Sequence, residues 1–199
     1  MITFIDSEHE YVQATVSLSK VLNKEIDIVY NPFNEEFTIY KAFEFDKIYG
    51  SRFFNGLSKF LMRMNSAGFT FYTLLPNPVE YFFSYFLKYS VGKIPTTASF
   101  DDYWNFLNAN PGNPADALMD NSETIAMYSN EPMWGIIGSK DLEIGIVGFR
   151  NNAAKDEFLK CFDDYMFVDI KSRLGDLDDM LSPQSDTKSI HEQILKNYA

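Results

Sequence analysis

The chain has 199 residues, a hydrophobic fraction of 46%, an aromatic fraction of 17%, a formal charge of −11 and a pI near 4.6. That apolar content excludes a disordered polymer. The one cysteine, Cys161, excludes an intramolecular disulfide, and its run of apolar neighbours reads as a buried small hydrophobe. The charge is lopsided: residues 1–99 hold 10 acidic and 9 basic side chains, whereas residues 100–199 hold 18 and 8. Such a field repels phosphate backbones and attracts cationic partners.

The length fits one domain over residues 1–199. Ser7 to Glu10 has the form of a capping box, and Tyr11, Val12, Thr15, Leu18 and Leu22 then recur at helical spacing, predicting a helix from Glu8 to Asn23. Ile26 to Tyr30 reads as a strand, Asn31 to Asn34 as a turn, and Phe37 to Tyr40 as the returning strand. A helix capped by Asp46 is expected to reach Asn65 with Phe53, Leu57, Phe60, Leu61 and Met64 as its buried stripe. Phe69 to Leu75 reads as a strand that Pro76 closes, and Val79 to Ser90 as an amphipathic helix with Tyr81 and Tyr85 off its core face.

Ser99 and Asp102 cap a short helix through Leu107, ending before Asn110-Pro111-Gly112-Asn113-Pro114. That 110–114 string predicts a surface loop or a subdomain break. Ala115 to Met119 is expected to add a helical turn, and Thr124 to Tyr128 a strand. Met133–Ile137 and Leu142–Phe149 flank a Gly-containing turn and read as a hairpin, whose Gly135, Gly145 and Gly148 point to close approach by another element, to bulges or to strong local bending. A helix capped by Asn151 or Asn152, an edge strand from Tyr165 to Ile170, a partly mobile acidic segment near 175–188 and a short helix from Ser189 to Tyr198 complete the reading. Clean βαβ alternation is missing. The pattern therefore predicts an α+β fold, an antiparallel or mixed sheet with helices packed on one face.

Motifs of chemistry are scarce. His9 and His191 stand in segments that read as peripheral, no cysteine or histidine cluster has metal-ligand spacing, and no glycine-rich stretch matches a phosphate loop. No catalytic residue, metal or cofactor is assigned. The start of the chain lacks a cationic, apolar leader, and the most apolar segment, Tyr81–Tyr89, is too short to span a bilayer. A cytoplasmic location without membrane contact is the expectation. The charge balance argues against direct nucleic-acid binding and favours a protein partner. The leading reading is a non-catalytic binding or inhibitor protein, of the kind by which bacterial immunity proteins neutralise a basic toxin or nuclease. Asp176, Asp178 and Asp179 are its expected charge contacts, with Tyr81, Tyr85 and Trp104 as aromatic anchors. An enzyme with a dispersed carboxylate-based site, or an assembly component of a phage or secretion system, are the alternatives.

Overall fold

In the computed structural model, which describes residues 2–23, 27–112, 114–181 and 185–198, six extended segments pair into one sheet. The strands are β1 (Ile39–Glu44), β2 (Gly68–Leu75), β3 (Val91–Pro95), β4 (Thr124–Tyr128), β5 (Trp134–Ser139) and β6 (Ile144–Phe149). They lie in the order β1-β6-β5-β4-β2-β3, and every neighbouring pair is antiparallel. The helices are α1 (Glu8–Leu18), α2 (Ser51–Arg63), α3 (Ser84–Phe86), α4 (Phe100–Leu107), α5 (Leu118–Asn121), α6 (Asn152–Leu159), α7 (Ile170–Leu181) and α8 (Ser185–Asn197). The fold is α+β with an antiparallel sheet, as the sequence pattern predicts.

Alternation along the strands feeds two apolar layers. Ile125 and Met127 of β4 pack with Leu57 of α2, Phe106 of α4 and Phe158 of α6. Ala126 and Tyr128 point the other way, toward Leu18 of α1, Leu174 of α7 and Ile194 of α8. The helices thus extend beyond the single face expected and cover both. Every residue of β5 and β6 is buried, as are four of the five in β4, and none of the three strands contains Asp, Glu, Lys, Arg or His.

The glycines of β5 and β6 make room for neighbouring side chains, Val21 over Gly135 and rings over Gly138, Gly145 and Gly148, so close approach is the reading that holds. Gly138 and Gly145 are directly paired, and a Cβ on Gly145 would stand 2.2 Å from the Phe43 ring, itself the cross-strand partner of Gly145 on β1. The aromatic ring fills the space above a residue that has no side chain of its own.

Several local expectations change. The described part of the first expected strand, Ile28–Tyr30, is a 3-10 turn, because the Asp27 side chain accepts from the Val29 N–H; Ile26 lies outside the described residues. The returning strand begins at Ile39 and runs on to Glu44. Residues 78–90 are not one helix: Pro78–Phe83 is a π-helix and α3 ends at Leu87, whose φ is +53°. Instead of an edge strand over 165–170, one bridge joins Val168 to Ala42 and α7 follows. The acidic stretch Gly175–Asp179 is therefore helical, held by buried Ile170, Leu174 and Leu177 at helical spacing. The remainder of the segment expected to be mobile includes 182–184, outside the described residues. Asn110–Gly112 connects α4 to α5, and Phe106, Leu107 and Leu118 on either side of it share one apolar cluster.

Phe158 is the ring on which α6 closes over the sheet, with the rings of Phe60, Trp134, Phe149, Phe162 and Phe167 at centroid distances from 4.6 to 6.4 Å. Phe158→Ala should lower the unfolding free energy by about 3–5 kcal/mol. Urea denaturation measures this, and a loss below about 1 kcal/mol would contradict the packing described.

Candidate functional site

Charge excluded from the buried strands collects in the turns at their ends, and the antiparallel register decides which turns meet. At one end, Leu75, Thr124, Ser139, Ile144 and Glu44 follow one another across the sheet. Backbone bonds tie the flanking turns together: Glu123 N–H to Leu75 O, Lys140 N–H to Glu123 O, Glu143 N–H to Lys140 O and Phe45 N–H to Glu143 O. Lys140 Nζ also donates to the Asp120 carbonyl at 3.1 Å.

This end consequently carries the exposed carboxylates of Glu44, Asp46, Asp120, Glu123, Asp141 and Glu143 against Lys47, Lys140 and the buried Arg173, whose Nη2 donates to the Glu143 carbonyl at 2.7 Å. Asp46 and Asp120 both act on Tyr49: burial, then these two charges, push its phenol well above the ordinary value. Removing a phenolic proton beside two carboxylates in a half-dry site is doubly unfavourable.

The opposite end of the sheet is different. There Arg150 pairs with Glu36 at 2.5 Å and Lys93 with Glu10 at 3.2 Å. Among the described residues, the first end alone presents a rim of one dominant sign.

An apolar shelf adjoins this rim. Leu75, at the end of β2, is half-exposed, and Val79 on the π-helix is similarly open. Tyr81 donates its hydroxyl to Asp116 Oδ1, which raises its pKa, and its ring lies 5.5 Å from that of Tyr85. Tyr85 is 72% exposed and Leu87 70%.

Two residues here break local rules. Among the described non-glycine residues with positive φ, Asn31 and Asn65 are of a type that tolerates the left-handed region, whereas Leu87 and Glu143 are not. Glu143 closes the β5–β6 turn at a position that favours glycine. Leu87 ends α3 where glycine is the usual residue, and it exposes an apolar side chain as well. Glu143 stands on the rim, and Leu87 on the connection from β2 to β3 that leaves the sheet at Leu75. Local strain retained without a packing benefit is a pointer to function.

Of the residues singled out in the sequence, Tyr81 and Tyr85 belong to this shelf. Trp104 is 41% exposed on the outer side of α4, beside Phe100. Asp176 and Asp179 are exposed on α7, which lies across the sheet from α4. The aspartates and Trp104 are therefore on different layers of the molecule. Asp178 instead meets His191 Nδ1 at 2.7 Å, joining α7 to α8; His191 is buried, contrary to its expected peripheral place. The rim residues were not singled out as contacts, because they come as pairs from three turns far apart in the sequence.

The chemistry of nucleophiles and metals finds little support. Burial raises the Cys161 thiol above its ordinary pKa, opposite to what a reactive thiolate needs. The carboxylates held below their usual range are Asp102, by its capping box with Ser99, and Glu157, by Lys160 and then Arg63. These are surface bonds rather than a catalytic pair. Among the described residues no group of three His, Cys, Asp or Glu side chains could hold a metal ion, and no helix is long and apolar enough to cross a membrane. Comparison with protein-family models, curated proteins and solved structures finds no match.

Relief of left-handed strain gives a direct check on this surface. Leu87→Gly and Glu143→Gly should each raise the unfolding free energy, by up to roughly 1 kcal/mol, because glycine adopts positive φ without steric conflict. Chemical denaturation of both variants measures the gain. A clear loss of stability in either would show that the side chain serves the fold.

Proposed function

We propose that this chain is a non-catalytic binding protein that inhibits a basic protein partner, in the manner of an immunity protein blocking a cationic toxin or nuclease. The observation that carries this reading is the one-signed rim at the end of the sheet, set beside the exposed Leu75, Val79, Tyr85 and Leu87. Charge of one sign steers encounter and orients the partner, and apolar groups at its border supply the desolvated contacts that slow dissociation. A nuclease surface that normally holds phosphates is rich in Lys and Arg, so an acidic rim competes for the same groups. Strain at Leu87 and Glu143 fits this use, since residues selected for contact need not be optimal for folding.

A panel of purified cationic nuclease and toxin domains tests the proposal. One member should lose activity at equimolar chain, with an association rate that falls as salt rises. The double variant Glu123→Lys/Asp141→Lys should slow that association about tenfold or more at low ionic strength and much less at high ionic strength. Absence of stoichiometric inhibition across the panel, or association insensitive to both salt and charge reversal, would falsify the reading.

A further inference from the structure

A cleft of about 1120 Å³ opens beside the rim, between the start of α2 and the turn at residues 162–166. It shares Glu44 and Asp46 with the rim and adds Asp163 and Asp164 from the facing wall. Phe53, Phe162 and Met166 supply its apolar lining. Two cations line it too, but each has a carboxylate neighbour: Lys47 Nζ is 3.0 Å from Glu44, and Arg52 Nη1 is 3.9 Å from Asp163. Asp46 and Asp164 have no ion pair among the described residues and leave the cleft with an excess of negative charge.

The turn that forms one wall is firmly based. Met166 N–H donates to Asp163 O at 3.0 Å, closing the turn. The Phe162 ring on one side packs against Phe158 and Phe167 at 4.6 and 4.7 Å, and Phe167 on the other side is buried. Phe162 also occupies the space above Gly56, where a Cβ would stand 2.4 Å from the ring. Between these anchors Asp164 and Tyr165 project outward, and Tyr165 is 92% exposed. The aromatic residues around it are drawn into the core; Tyr165 is held out of it.

We propose that this cleft receives an arginine-bearing segment of a protein partner, whose guanidinium stacks on Tyr165 and bonds to Asp164 and Asp46. The choice of arginine follows from the lining. A planar guanidinium can present one face to a phenol ring and its edge N–H groups to carboxylates, whereas a lysine ammonium is more strongly hydrated and has no plane to stack. The apolar lining accepts the arginine methylenes. A turn anchored on both sides reduces the ordering cost of forming these contacts. This inference rests on the basic-partner reading above and assigns the partner's contact chemistry within it.

The test uses the full chain, isotopically labelled, and two short capped peptides that alternate glycine with arginine or with lysine. At low ionic strength the arginine peptide should shift the amide signals of residues 44–53 and 162–166 saturably and bind more tightly than the lysine peptide. Tyr165→Ala should weaken the arginine peptide about fivefold, and Asp164→Asn by a similar factor, with no change in folding because both side chains are exposed. Equal affinity for the two peptides, indifference to Tyr165→Ala, or shifts centred on the 120–123 and 140–143 turns would overturn the cleft assignment. The last outcome would leave the acidic rim as the docking surface. Failure of the toxin panel with arginine selectivity intact would instead reject the inhibitor reading while preserving the cleft.

Discussion

The constraint from which the rest follows is that the central strands are buried on both faces. A charge in β4, β5 or β6 would have to be desolvated beneath a helix layer, at a cost of several kcal/mol without a partner. These strands accordingly contain no charged side chain, and the glycines of β5 and β6 let side chains such as the Phe43 ring come within the space that a Cβ would occupy. Charge from this part of the chain is confined to the strand ends. Antiparallel pairing then places the turns before β4, after β5 and after β1 side by side.

This arrangement turns an unremarkable composition into a directional one. At one end of the sheet the cations Arg150 and Lys93 are matched by Glu36 and Glu10. At the other, Lys140 and Arg173 are directed to backbone carbonyls and Lys47 to Glu44, which leaves the side chains of Asp46, Asp120, Glu123, Asp141 and Glu143 facing solvent. The same end has apolar side chains that folding leaves uncovered and two non-glycine residues in left-handed backbone. Each feature alone is ordinary. Together they describe a surface organised for contact, with the neighbouring cleft as its deepest part.

Much of the fold was legible where local and tertiary preferences agree. The capping box of Ser99 and Asp102 forms with both reciprocal bonds, the stripe on α2 is buried, and the Gly-containing hairpin pairs as its alternation suggested. Some failures are local, as at Ile28–Tyr30, where the Asp27 side chain turns the backbone; others occurred where tertiary contacts override local signals. Gly175 and three nearby aspartates are poor helix formers, yet α7 forms because Ile170, Leu174 and Leu177 bury one face against the sheet. The short β3 segment Val-Gly-Lys-Ile-Pro shows no convincing alternation and is extended because it pairs with β2. For the site, the asymmetry of charge between the chain's halves was visible, but its location was not. Glu44, the pair Asp120 and Glu123, and Asp141 come from three separate turns, and only strand register brings them together.

The central claim is that like charges crowd one end of the sheet while those at the other are compensated. Unfolding free energies at low and at physiological ionic strength, compared for the parent chain and Asp141→Asn, Glu143→Gln and Glu36→Gln, examine it most directly. Added salt should stabilise the parent, and the two rim variants should reduce that increment, because screening then has less repulsion to relieve. Glu36→Gln, which removes the partner of Arg150, should preserve or enlarge the increment. A parent insensitive to salt, or three variants with the same response, would contradict the account.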